Sequence, residues 1–106
     1  MRKVTQNTVN AFLNNQSYAE GNTSVSPSNG ANYLYLHGHI IAIKDKSTGS
    51  LKITSAGWKT NTTKERLNAL PNVKIQQKKG KWYLNGDEWD GNLIEIPREK
   101  ENSKRN

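Results

Sequence analysis

From Tyr33 onward, apolar and polar residues alternate in short runs broken by residue–glycine pairs, the pattern of antiparallel strands joined by tight turns. In YLYLHGHIIAIKD, a His37-Gly38 turn sets Leu36 opposite His39 and Tyr35 opposite Ile40. A further turn around Thr48-Gly49 leads into LKITSAGW, a third strand. Thr62 then opens a capping box with Glu65, and Pro71 stops the resulting helix after Leu70. A helix of about two turns does not persist alone, so Leu67 and Leu70 must dock it on the sheet.

The stretch QQKKGKWYLNGDEWDGN predicts a meander. A Lys79-Gly80 turn places Lys78 opposite Lys81, Gln77 opposite Trp82, Gln76 opposite Tyr83 and Ile75 opposite Leu84. Asn85-Gly86, a strong hairpin signal, folds the chain back and sets Leu84 against Asp87, Tyr83 against Glu88 and Trp82 against Trp89. Alternation then sorts two faces. Val73, Ile75, Gln77, Trp82, Leu84 and Trp89 form the core side. Lys74, Gln76, Lys78, Lys81, Tyr83 and Glu88 form the wet side.

Upstream the signal weakens. Val9, Phe12 and Leu13 stand at helical spacing, which gives a short amphipathic N-terminal helix near residues 6 to 15, weakened by its asparagines. The following QSYAEGNTSVSPSNGAN is rich in Ser, Asn and Gly and reads as a flexible connection. The expected architecture is α+β: mostly antiparallel β meanders flanking one short capped helix, with the N-terminal helix as a second. Residues 1–32 are assigned to that helix and loop, 33–97 to a compact domain and 98–106 to a charged disordered tail.

With 106 residues of which 32% are apolar, the chain has material for one modest core. It contains no cysteine, which excludes disulfides, thiolate metal sites and thiol nucleophiles. No apolar run approaches the roughly 20 residues of a membrane span and the start does not read as a signal peptide. These features lead to the expectation of a cytoplasmic protein with no membrane partner.

Charge changes the picture more. The formal net charge is +7, and it is unevenly placed. Lys44 to Lys81 carries ten basic residues against Asp45 and Glu65, a net +8, whereas residues 82–101 carry six acids against Arg98 and Lys100, a net −4. A basic surface with an aromatic among its lysines suits nucleic acid, because lysines neutralise phosphates and an exposed ring stacks on bases. The candidate contacts are Lys59, Lys64, Arg66, Lys74, Lys78, Lys79, Lys81 and Tyr83. The plainer alternative is a solvated strand whose lysines guard an edge against aggregation. Trp82 and Trp89 are expected in the core, and Trp58, at a strand end after Ala56-Gly57, is the tryptophan expected to stay exposed for a partner.

Other chemistry is thinner. Asp87 and Glu88 point to opposite faces of a regular strand, so they do not converge on one ion, and Asp90-Gly91 is a turn signal. His37 and His39 lack enough companion ligands for zinc. There is neither a nucleophile elbow nor a phosphate loop. The expectation is therefore a non-enzyme without metal or cofactor. An exposed strand edge leaves room for a homodimer.

At LYLHGHIIAI, ITSAGWKTNTTKERLNALPNV and KIQQKKGKWYLNGDEW, within residues 33–92, the chain resembles short proteins encoded by tailed bacteriophages and prophages. The resemblance implies an accessory factor that binds DNA or RNA, or alternatively a host-takeover or anti-defence factor that binds a host protein or a small anionic signal molecule. It carries no catalytic residue over to this chain.

Overall fold

The computed structural model describes residues 3–97, so the C-terminal tail assigned from sequence lies outside the described residues. Two helices and nine strands follow in chain order: α1 (Lys3–Leu13), β1 (Tyr18–Glu20), β2 (Thr23–Pro27), β3 (Ala31–Leu36), β4 (His39–Asp45), β5 (Leu51–Ile53), α2 (Asn61–Asn68), β6 (Ile75–Lys78), β7 (Lys81–Leu84), β8 (Asp87–Glu88) and β9 (Ile94–Ile96). The strands form a six-stranded sheet, β1-β2-β3-β4-β5-β9, and a three-stranded sheet, β6-β7-β8. Every pairing is antiparallel. The fold is α+β, built mostly of β meanders.

The residue–glycine turns hold because their first residues enter the left-handed region that these hairpin turns require. His37, Lys79 and Asn85 have φ of 54, 52 and 51°, each followed by a glycine with positive φ. Leu36 faces His39, Ile75 faces Leu84, and Tyr83 faces Glu88, in the expected registers. A bulge between Leu34 and Tyr35 shifts the β3–β4 pairing by one residue and buries Ile41 and Ala42 together. This was not readable from alternation.

Residues 18–27, expected as loop, are instead the strands β1 and β2. Their own composition has little strand preference, but β2 pairs along all of its length with β3 and turns Thr23 and Val25 inward. The helix before them begins and ends earlier than its apolar spacing indicates. Asn15, at φ 58°, closes it, and Gln16 N–H donates to the Ala11 carbonyl at 2.9 Å in the manner of a Schellman cap. Asn32 of β3 then donates through Nδ2 to the Phe12 carbonyl at 2.8 Å, tying the helix end to the sheet.

One core unites these pieces. Val9 and Phe12 of α1, Val25, Leu34 and Ile53 of the larger sheet, Leu67 of α2 and Trp82 of the smaller sheet belong to the same buried cluster. Leu67 and Leu70 dock α2 as its shortness demands. Capping differs from expectation. Thr60, not Thr62, is the N-cap: its hydroxyl accepts the Thr63 N–H at 3.1 Å and lies 3.0 Å from the Thr63 hydroxyl. Glu65 does not reach back, because it is engaged with Arg66 at 2.9 Å. The helix ends at Asn68, ahead of Leu70.

Arg66 is the centre of this arrangement. Only 1% exposed, it donates from Nε to Thr23 Oγ1 at 3.2 Å and from Nη1 to Thr5 Oγ1 at 2.5 Å, as well as to Glu65. One guanidinium thereby joins α1, β2 and α2. Removing it leaves buried hydroxyls without their donor and a space the core cannot fill. Arg66→Ala is expected to lower the unfolding free energy by about 3 kcal/mol in urea denaturation, and Arg66→Lys to recover little, since an ammonium cannot reproduce the planar fork. Full stability in Arg66→Ala would show that the hub is dispensable.

Candidate functional site

Two surfaces gather the candidate functional side chains. The first is the wet face of the β6–β7–β8 sheet. Lys78 sits directly opposite Lys81 and Gln76 opposite Tyr83, with Lys79 and Gly80 as the turn between the strands. Lys74, Lys78, Lys79 and Lys81 are exposed and Tyr83 is half-buried. Asn85 braces the base of the hairpin: its Oδ1 accepts the Lys74 N–H at 3.0 Å and its Nδ2 donates to the Asn72 carbonyl at 2.9 Å. Glu88 on β8 lies 3.7 Å from Lys81, an exposed pair that contributes little stability.

The structure divides the remaining predicted contacts. Arg66 is removed from the surface altogether, because its guanidinium serves the core. Lys64 is half-buried and donates to Gln77 Oε1 at 2.9 Å. Gln77, expected in the core, is exposed near the hairpin end, where the sheet extends past the helix-covered core. Lys59 is exposed next to Trp58, on the segment that leads into α2 rather than on the lysine hairpin. Asp87 and Glu88 are exposed on β8, and among the described residues no three His, Asp or Glu side chains are grouped to hold a metal ion.

The second surface is a cavity of about 440 Å³ between the β3–β4 turn and the start of α2. Its lining combines the buried apolar Leu36 and Ile41, the rings of His37, His39 and Trp58, and the hydroxyl-bearing Thr60 and Thr62. Trp58 is 58% exposed, in contrast to the buried Trp82 and Trp89. Its ring sits 6.1 Å from that of His39 at an interplanar angle of 36°. Sequence singled out Trp58 but not the cavity, since its lining comes from two separate segments, residues 36–41 and 55–63, that meet only through the fold.

The Trp58 segment is held by a short network. The Gly91 carbonyl accepts from Ser55 N at 2.8 Å, Ser55 Oγ at 3.2 Å and Thr54 Oγ1 at 2.9 Å. Ala56 adopts φ 54°, a strained value for a residue with a side chain. Two ionisable groups elsewhere are displaced from their ordinary values. The Asp45 carboxyl is lowered, chiefly by the Thr48 N–H it accepts and then by Ser47, and it shapes the β4–β5 turn. The Tyr18 hydroxyl is raised, first of all by its hydrogen bond to Glu20.

A small α+β scaffold that presents a lysine hairpin and a separate aromatic cavity is thus the class of protein the geometry defines. The sequence profile of the family described as Kyanoviridae Gp96 protein matches residues 1–101. The chain belongs to that family, a phage protein family. No curated protein and no solved structure matches it. Among the described residues, no helix is long and apolar enough to cross a membrane.

The network around Gly91 makes a specific demand. Gly91 has φ 93°, and a Cβ there would collide with the Ser55 hydroxyl and sit 3.1 Å from Ser55 Cβ. Gly91→Ala should therefore destabilise by about 2 kcal/mol and change the Trp58 environment in tryptophan emission. Gly30→Ala, with open space and no positive φ, should stay within about 0.5 kcal/mol of the parent. Equal thermal shifts in the two variants would contradict this assignment.

Proposed function

We propose that the protein is a non-enzymatic phage accessory factor that binds nucleic acid through the β6–β7 hairpin. The observation that supports this most is the cross-strand pairing of Lys78 with Lys81. Like charges directly opposite on neighbouring strands repel and destabilise the pair. Lys79 at the turn adds a third charge, in a left-handed conformation that costs roughly 1–2 kcal/mol for a residue with a side chain. Glu88, 3.7 Å from Lys81, offsets only part of this repulsion, and a phosphate between the ammonium groups converts the remainder into attraction. Tyr83, one row along the same face, offers a ring for a base.

The reading with Lys74, Lys78, Lys79 and Lys81 as contacts drops Arg66 and gives Lys59 and Lys64 peripheral places. The rival, a host-takeover or anti-defence factor that binds a host protein or a small anionic signal molecule, is sensitive to Trp58, which is exposed, or Tyr83 rather than to the number of lysines. The two separate in solution. Fluorescence anisotropy with labelled double-stranded DNA, single-stranded DNA and RNA should show binding that persists at near-physiological salt. It should be lost when Lys78, Lys79 and Lys81 are all replaced by Ala. Each lysine that contacts a phosphate should contribute about 0.7–0.9 to the log–log salt slope. Binding seen only at low salt, or equal in the triple variant, would overturn the proposal and leave a one-to-one host-protein complex as the reading to pursue.

A further inference from the structure

The cavity beside Trp58 has features that the lysine hairpin does not explain. Its volume of about 440 Å³ falls within the roughly 300–1,000 Å³ of small-molecule sites. Its lining combines the apolar Leu36 and Ile41 with aromatic rings and threonine hydroxyls. At its edge the Trp58 indole is left 58% exposed, a large ring face open to a planar ligand.

The hydroxyls have spare capacity. Because Thr60 takes the N-cap, Thr62 is released from the capping role, and its hydroxyl has no hydrogen-bond partner among the described residues. The same holds for the His39 ring, whose described contact is with Trp58. A ligand that covers the indole therefore also meets an unused donor and acceptor. The cavity lining contains no carboxylate, so nothing in it repels a phosphate attached to such a ligand.

These demands describe a flat heterocycle with polar edges. We propose that this cavity binds a nucleobase, stacked on Trp58 and hydrogen-bonded by Thr62 and His39, supplied either by a free nucleotide or by a single strand. The 6.1 Å between the Trp58 and His39 rings is too short to admit a base between them, so the base covers the cavity side of the indole. The stacking is one-sided, and Leu36 and Ile41 supply apolar contact. This site does not depend on the hairpin lysines.

Isothermal titration with adenosine monophosphate, uridine monophosphate and a short single-stranded DNA oligonucleotide tests it. A nucleotide should bind one-to-one. Trp58→Ala should weaken that binding by roughly tenfold or more, Trp58→Phe should restore part of it, and Thr62→Val should weaken it while preserving side-chain shape. The triple Ala variant of Lys78, Lys79 and Lys81 should bind the nucleotide unchanged, which separates this site from the hairpin. Binding of the oligonucleotide alone, lost in Trp58→Ala, would identify the strand as the source of the base. Absence of binding by every probe at millimolar concentration, or affinities untouched by Trp58→Ala, would overturn the proposal.

Discussion

The buried guanidinium of Arg66 is the constraint around which the rest of the molecule is arranged. A charge in the interior is tolerated only when its donors are satisfied, and here the partners come from three elements: Thr5 on α1, Thr23 on β2 and Glu65 beside it on α2. Satisfying them fixes where a two-turn helix lies, which its own length could not do. Once α2 is set, its first residues line the cavity and its Lys64 meets Gln77 at the lysine hairpin. An internal polar contact thus places both candidate surfaces.

The two surfaces differ in how they are built. The hairpin is an open β face whose charges are spaced by the strand register, with a left-handed turn at its tip and Asn85 bracing its base. It suits a repeating anionic backbone, where several weak contacts add up. The cavity is concave and mostly apolar, with its hydroxyls placed by the cap of α2 and the backbone leading to its indole held by the Gly91 carbonyl network. It suits a single planar group. Phosphate contacts and base contacts are divided in the same way in many nucleic-acid complexes.

Much of this was legible in the residues because some local choices leave few alternatives. His37-Gly38, Lys79-Gly80 and Asn85-Gly86 each demanded a tight turn, and a turn fixes the pairing on both sides of it. Tryptophan placement followed from alternation for Trp82 and Trp89, and from a strand end for Trp58. Other features depend on partners distant in sequence. Three threonines, Thr60, Thr62 and Thr63, compete for one cap, and the Glu65 that favoured Thr62 is drawn away by Arg66. The strands β1 and β2 and the short β9 gain their structure from neighbours already in the sheet. Arg66 looked like one more surface cation because its hydroxyl partners lie forty-three and sixty-one residues away.

Residue-resolved chemical shifts, recorded while a short single-stranded oligonucleotide is titrated into isotopically labelled protein, test the central claim most directly. They report both surfaces in one experiment. The account predicts perturbations concentrated on the amides of β6, β7 and their turn, together with the Trp58 indole N–H, while the buried Trp82 and Trp89 indoles stay fixed. Shifts centred on the acidic stretch from Asp87 to Glu95, or no shifts as the oligonucleotide saturates, would contradict it.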